Sequence, residues 1–132
     1  MKRQEQRRSQ RYTDFLPVSV TARRTDSESP EAGPFSARIV DVSRHGACLL
    51  LTQVMMRSFH IFHSTRDDEA IDLVLHLTVP AGTDPVEVKA RPVWLNSGKI
   101  DDIKVFRMGV DFVTPISADL LQRINKEIGP ET

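Results

Sequence analysis

Apolar and polar residues alternate over several short stretches of this chain, which is the pattern of half-buried β-strands. The clearest run covers residues 71–79, where every second residue is apolar. Residues 47–51 form a continuous apolar run, as expected of a buried strand. Pro92 interrupts a further run and indicates a bulge or a sheet edge before residues 93–95. Shorter alternating runs cover residues 16–22, 35–39, 86–90 and 108–112, so about six strands are expected.

The last apolar stripe has helical spacing. Its residues are Leu120, Leu121, Ile124 and Ile128. Ser117 is the predicted N-cap, and Gly129-Pro130 is the predicted end of a helix covering about 117–128. The fold class is therefore mainly β. We expect a small six-stranded antiparallel, Greek-key-like barrel whose open end is covered by the C-terminal helix.

Three segments between these elements carry further expectations. Residues 23–34 are rich in Ser, Glu, Pro and Gly, which predicts a flexible loop, and Asn96-Ser97-Gly98 should begin a turn. Residues 53–70 fit either a short helix or an irregular insertion. The single tryptophan, Trp94, is expected in the core, with stacking on a guanine base as the alternative.

Length and cysteine content indicate one domain with its own core. A chain of 132 residues buries enough apolar surface to fold without disulfides or metal. Cys48 has no second cysteine to pair with, which is typical of a reducing compartment, and its apolar neighbours suggest a small buried side chain. The N-terminus lacks the apolar core of a signal peptide, and no stretch is long and apolar enough to span a bilayer. We therefore expect a cytoplasmic protein with no membrane insertion.

The charge is unevenly distributed although the net charge is zero. Residues 1–11 hold five basic side chains against one acidic side chain, and the remainder has four more acidic than basic residues. Residues 1–13 show no apolar periodicity and are predicted to be a flexible basic arm, with residues 14–132 as the single folded domain. A basic arm on a mildly acidic body favours a small anionic ligand. A nucleic-acid partner would require a basic body as well.

Two motifs carry the candidate chemistry. The arm contains Arg7, Arg8 and Arg11, and a strand end carries Asp41-x-Ser43-x-x-Gly46. Arginine pairs bidentately with phosphate oxygens and with O6 and N7 of guanine. A carboxylate accepts from ring N–H and amino groups, and a serine hydroxyl and a glycine allow close approach of a ligand. Together these side chains suit a nucleotide that presents phosphates and guanine edges.

These residues resemble the PilZ domain, a bacterial receptor module for cyclic di-GMP. The family pattern is Arg-x-x-x-Arg in an N-terminal arm, followed by Asp/Asn-x-Ser-x-x-Gly at a strand end. Arg3 and Arg7 have the same spacing as Arg7 and Arg11. We take the second pair because it lies nearer the first strand and includes Arg8 between its members.

The resemblance implies a six-stranded barrel and a receptor rather than an enzyme, with no cofactor beyond the ligand cyclic di-GMP. It implies that Arg7 and Arg11 contact guanine edges and phosphates while Arg8 adds charge. Asp41 would accept from a guanine, Ser43 would bond near a phosphate or base, and Gly46 would keep the turn unobstructed. Output would pass to an unidentified protein partner through a change in the arm. Either one or two ligand molecules fit this charge.

Other functions have weaker support in the sequence. A PilZ-like adaptor that binds pilus or flagellar machinery without nucleotide is the main alternative. Asp41, Ser43 and His45 do not form a catalytic triad, because close neighbours in an extended segment point to different sides. A metal site is not predicted either, since no cysteine accompanies the candidate ligands His60, His63, Asp67 and Asp68.

Overall fold

Six antiparallel strands close into a barrel in the computed structural model, which describes residues 11–79 and 84–128. The barrel strands are β1 Leu16–Arg24, β2 Pro30–Val42, β3 Gly46–Leu51, β6 Ile71–Leu77, β7 Val86–Ile100 and β8 Ile103–Phe112. Their order around the barrel is β1-β2-β3-β8-β7-β6, and β6 pairs with β1 to close it. This confirms the predicted fold class.

The segment between β3 and β6 forms a small hairpin followed by one helical turn. Strands β4 (Met55–Met56) and β5 (Phe59–His60) pair with each other, and α1 covers His63–Arg66. The sequence predicts either a short helix or an irregular insertion for residues 53–70. The segment contains both a strand pair and a helical turn, and it adds the buried Ile61 to the core.

The C-terminal helix α2 covers Ala118–Glu127 and begins as predicted. The Ser117 hydroxyl accepts a hydrogen bond from the Leu120 backbone N–H at 3.0 Å, which satisfies one free donor of the first turn. Leu120 and Ile124 are buried in the barrel core. The predicted end at Gly129-Pro130 lies outside the described residues. Over the described ranges, none of the helices has the length and apolarity to cross a membrane.

A second, smaller apolar cluster lies on the outer face of β2, β3 and β8. It is built on Phe15, Leu50 and Val105, with Tyr12 and Ile128 packed against it. Tyr12 belongs to a 3₁₀ turn, Tyr12–Asp14, that precedes β1. This cluster brings the start of the described chain and the end of α2 together on one side of the barrel.

Arg38 of β2 also holds the start of the described chain. Its guanidinium carbon lies 5.0 Å from the centre of the Tyr12 ring, and its Nη1 donates to the Phe15 carbonyl at 2.9 Å. A cation over an aromatic face is attracted by the ring quadrupole. The C-terminal end of the predicted arm is therefore fastened to β2.

The predicted flexible loop at 23–34 is shorter in the structure. Strand β1 continues to Arg24, and β2 begins at Pro30. On its other side β1 pairs with β6 as far as Arg24, opposite Ile71. Pairing with a distant strand therefore extends β1 into a sequence whose local composition is typical of a loop.

The turn predicted to begin at Asn96-Ser97-Gly98 was placed too early. Strand β7 runs on to Ile100, which pairs with Ile103 of β8. Asp101 and Asp102 between them have φ values of 53° and 63°. Two left-handed residues in a two-residue loop match the twist of a hairpin, and aspartate tolerates this conformation better than most residues.

Candidate ligand-binding site

A β-bulge in β2 decides where Asp41 points. Ala37 and Ile39 lie in the barrel core, so regular alternation would direct Asp41 inward as well. The register with β3 shifts between Ile39 and Asp41, and Val40 is the extra residue. One extra residue reverses the side-chain alternation that follows. Asp41 is consequently exposed on the outer face, and Val40 packs on the outer cluster.

A second bulge, in β7, does the same for Trp94. Ala90 and Pro92 are buried, and the register with β8 shifts between Pro92 and Trp94. Trp94 is therefore turned to the outer face and is 41% exposed. The expectation of a core tryptophan was wrong. Pro92 had indicated the bulge, but a bulge also reverses the direction of the residues after it.

The two bulges place four residues in one row across neighbouring strands. Asp41 pairs with Cys48, Cys48 pairs with Gly109, and Gly109 pairs with Trp94. Neighbouring strands are about 4.8 Å apart, so the row spans about 14 Å of the outer surface. A pocket of about 320 Å³ lies over this row and is also lined by Ser43 and Gly46.

Gly109 makes room for the indole ring within that row. A Cβ atom at this position would overlap with the ring atoms of Trp94. The ring therefore lies directly against the backbone of β8. The sequence had indicated stacking of a guanine base on Trp94 only as the alternative to a core position, although the interruption at Pro92 contained the signal for its orientation.

The turn between β2 and β3 is held by its own backbone. The Ser43 N–H donates to the Gly46 carbonyl at 2.8 Å, and the His45 N–H donates to Ser43 Oγ at 3.2 Å. Gly46 does not have a positive φ. Its lack of a side chain matters because a Cβ atom there would overlap with the Val110 carbonyl oxygen of β8. The turn is thus pressed closely against β8 at one end of the pocket.

Arg44, which also belongs to this turn, bonds to the segment before α2. Its Nε donates to the Ile116 carbonyl at 2.9 Å, and the Ile116 N–H donates to the Arg44 carbonyl at 2.9 Å. The Phe112 N–H similarly donates to the His45 carbonyl at 2.8 Å. These bonds connect the turn of the pocket to the segment that leads into α2.

The charged residues that line the pocket are carboxylates. Asp41 and Asp111 both border it. Partial burial raises the pKa of the Cys48 thiol, and the Arg107 guanidinium beside it acts in the opposite direction. Arg107 lies in the next cross-strand row, between Leu50 and Asn96. An anionic ligand would therefore find its positive charge beside the pocket rather than within its walls.

The predicted motif residues fall into two groups. Asp41, Ser43 and Gly46 meet at the pocket. Arg11 is exposed and precedes Tyr12, which packs on Arg38 in the row next to that of Asp41. Arg7 and Arg8 lie outside the described residues.

Two of the candidate metal ligands, His60 and Asp68, accept hydrogen bonds from the backbone. His60 Nδ1 accepts hydrogen bonds from the backbone N–H groups of Phe62 and His63, each at 3.1 Å. Burial lowers the pKa of His60, and the neighbouring His63 acts in the same direction. Among residues 11–79 and 84–128, no three His, Cys, Asp or Glu side chains are grouped so that they could hold a metal ion.

The sequence model of the PilZ domain matches residues 2–128. This chain belongs to the PilZ domain family. PilZ domains are receptor modules for cyclic di-GMP, and the family is not known for catalysis. The apo structure of K. pneumonia MrkH is similar over 89% of this chain and 46% of that chain, at 16% identity and a TM-score of 0.48. This chain therefore spans just under half of that chain. No curated protein matches the sequence.

Proposed function

We propose that this PilZ domain is a receptor for cyclic di-GMP and binds it on the outer face of the barrel, between Asp41 and Trp94. The observation that carries the proposal is the row Asp41–Cys48–Gly109–Trp94, in which two separate bulges turn an acceptor and an aromatic ring to the same pocket. Either side chain would face the core if its strand were regular. Bulges of this kind occur where a strand must redirect a side chain next to a site.

The base would be held by one contact at its edge and one at its face. The Asp41 carboxylate accepts from the ring N–H and the amino group of guanine, both of which are donors. The Trp94 ring offers an exposed aromatic surface, and stacking of a base on such a ring contributes about 1–3 kcal/mol. The ring lies over Gly109. Gly109 is two strands away from Asp41, which is a distance of about 10 Å along the row. The space between them accommodates a planar base.

The phosphates would be bound by arginines from the arm. Arg11 lies beside Tyr12, which packs on Arg38. Arg8 precedes Arg11 by three residues, and three residues of chain span at most about 10 Å. Arg7 and Arg11 would contact phosphates and the O6 and N7 edge of guanine, with Arg8 adding charge. Arg107 supplies a further cation beside Cys48. These cations offset the carboxylates at the pocket wall.

The signal would leave through the arm. Ligand contacts would order the arm against the outer face, where Tyr12 and Ile128, the residue that follows α2, already share one apolar cluster. A protein partner that recognises this face would distinguish the bound from the free receptor. The domain would act by binding alone, without catalysis.

Calorimetric titration tests the proposal directly. The protein should bind cyclic di-GMP in preference to GMP, GTP and cyclic di-AMP. Adenine has an amino donor where guanine has O6, so an arginine fork on that edge rejects it. A titration without heat at high micromolar protein and ligand would rule out the receptor function and favour the nucleotide-independent adaptor.

A further inference from the structure

The insertion between β3 and β6 contacts the bulge that turns Trp94 outward. Arg66 of α1 donates through Nη1 to the Val93 carbonyl at 3.0 Å and to the Pro92 carbonyl at 3.4 Å. These are the two residues immediately before Trp94. A single guanidinium thus bonds both carbonyls of the bulge.

A second set of bonds runs in the opposite direction. Arg91 of β7 donates through Nη2 to the Thr65 carbonyl of α1 at 2.9 Å. Its Nη1 contacts the Ile71 carbonyl and lies 3.3 Å from the Asp72 carboxylate. The helical turn and β7 are therefore joined on both sides of Pro92. The ring of Phe62, 5.6 Å from the guanidinium carbon of Arg66, gives that side chain an apolar support.

A bulge requires such support because it leaves backbone groups outside the strand ladder. Val93 has no partner in the register between β7 and β8, and Pro92 has no N–H to donate. Arg66 supplies these two carbonyls with a charged donor. Without this donor both carbonyls of the bulge lose their protein partner, so the Trp94 ring would be held less closely against Gly109 on the outer face and would be more accessible.

We propose that Arg66 is a positioning residue, which fixes the β7 bulge and thereby presents Trp94 to the pocket. Its effect on the orientation of Trp94 is independent of any ligand, whereas its effect on affinity rests on the proposed binding of cyclic di-GMP. The insertion would then serve as a brace for the site and not merely as a surface loop.

The test uses the intrinsic fluorescence of the full chain, because Trp94 is its single tryptophan. Arg66→Gln removes the charged donor, and Arg66→Met keeps the aliphatic stem without any donor. Arg123→Gln is the matched control, since Arg123 donates to the Val79 carbonyl at 2.8 Å far from the bulge in sequence. Acrylamide quenching is measured without ligand, and calorimetry with cyclic di-GMP follows.

Both Arg66 variants should show stronger acrylamide quenching than the wild type, and the Arg123 variant should not. Cyclic di-GMP binding should weaken about fivefold, equivalent to the net contribution of one hydrogen bond. Wild-type quenching in a folded Arg66→Gln or Arg66→Met protein would overturn the positioning role. A wild-type protein that does not bind cyclic di-GMP would instead overturn the proposed function, and the quenching comparison would still decide the role of Arg66.

Discussion

A side chain at Gly46 or at Gly109 would clash with its surroundings, but the atoms that it would meet differ in kind. A Cβ atom at Gly46 meets a backbone oxygen, that of Val110, whereas a Cβ atom at Gly109 meets the ring of Trp94. Backbone atoms in a closed barrel move only with their strands. A partly exposed side chain can turn aside, so the same substitution should have different consequences at the two positions.

We expect Gly46→Ala to lower the free energy of unfolding by about 1–3 kcal/mol, the usual cost of overpacking. Gly109→Ala should lower it less, but it should displace Trp94, shift the tryptophan emission and weaken cyclic di-GMP binding. Urea unfolding and calorimetry separate the two effects. Equal stability losses with unchanged binding in Gly109→Ala would contradict the proposed stacking of a base on Trp94.

Asp41 and Arg11 allow the ligand contacts to be tested one at a time. Asp41→Ala and Arg11→Ala should each weaken cyclic di-GMP binding by about 1–3 kcal/mol, the range for a lost charged or bidentate contact. The melting temperature without ligand should change little in Arg11→Ala. The bond from Arg11 to Asp14, 2.9 Å long, uses the backbone N–H and survives the substitution.

Arg3→Ala is the control for the motif register, because Arg3 shares the spacing of the pair but is not assigned to the ligand. It should leave the affinity unchanged. If Arg3→Ala weakened binding as strongly as Arg11→Ala, the arginine pair would have to be reassigned to Arg3 and Arg7.

At the scale of elements, the insertion depends on the protonation state of one histidine. His60 Nδ1 accepts two backbone hydrogen bonds at the start of α1, and only a nitrogen without a proton can accept them. Burial lowers the pKa of His60 below its ordinary value of 6.5. Below pH 6.5, His60 is therefore protonated to a greater extent in the unfolded chain than in the folded chain.

Because the unfolded state binds more protons, the contribution of His60 to the free energy of unfolding should be fully present above about pH 6.5 and should decrease as the pH falls below that value. His60→Asn keeps an acceptor oxygen without a titrating group. The difference in melting temperature between about pH 7.5 and about pH 5.5 should therefore be smaller in this variant than in the wild type. Identical pH profiles for the two proteins would show that His60 does not contribute to this loss.

The arm is the element for which a change of state on binding is predicted. Amide exchange of residues 7–13 should slow when cyclic di-GMP is added, because two phosphates provide charge-assisted bonds that fix a short segment. Added salt should weaken binding, since these contacts are electrostatic. Exchange rates that are equal with and without ligand would remove the arm as the switch but leave binding intact.

At the scale of the whole molecule, the proposed binding site spans strands from both halves of the chain. Asp41 lies on β2 and Trp94 on β7, so a ligand that contacts both requires the closed barrel. A ligand that binds only the folded state raises its stability by mass action. At one hundred times the dissociation constant the gain is about 2.7 kcal/mol.

Cyclic di-GMP at that excess should raise the melting temperature by on the order of 10 °C for a chain of this length. Cyclic di-AMP at the same concentration should have little effect. A thermal shift assay with both nucleotides makes the comparison. Equal shifts for the two nucleotides would contradict recognition of the guanine edge.

The features that depend on local pattern were determined by the sequence itself. Alternation in β6 and at Met108 and Val110 predicted the inward faces correctly, because a strand repeats every two residues whatever its partner. Ser117 and the stripe through Ile124 predicted α2, since a cap and a helical face are formed within one segment. The family resemblance likewise depended on residues close together in the chain.

Only the tertiary structure decided which way Asp41 and Trp94 face and which strand the insertion contacts. A bulge is a mismatch between two paired strands, so its position depends on a partner distant in sequence, and each bulge reverses the side chains beyond it. The continuation of β1 to Arg24 and the bonds from Arg66 to β7 also depend on pairing partners that the local sequence does not specify. Local periodicity therefore predicted the barrel, while the register between its strands brought the residues of the candidate site together.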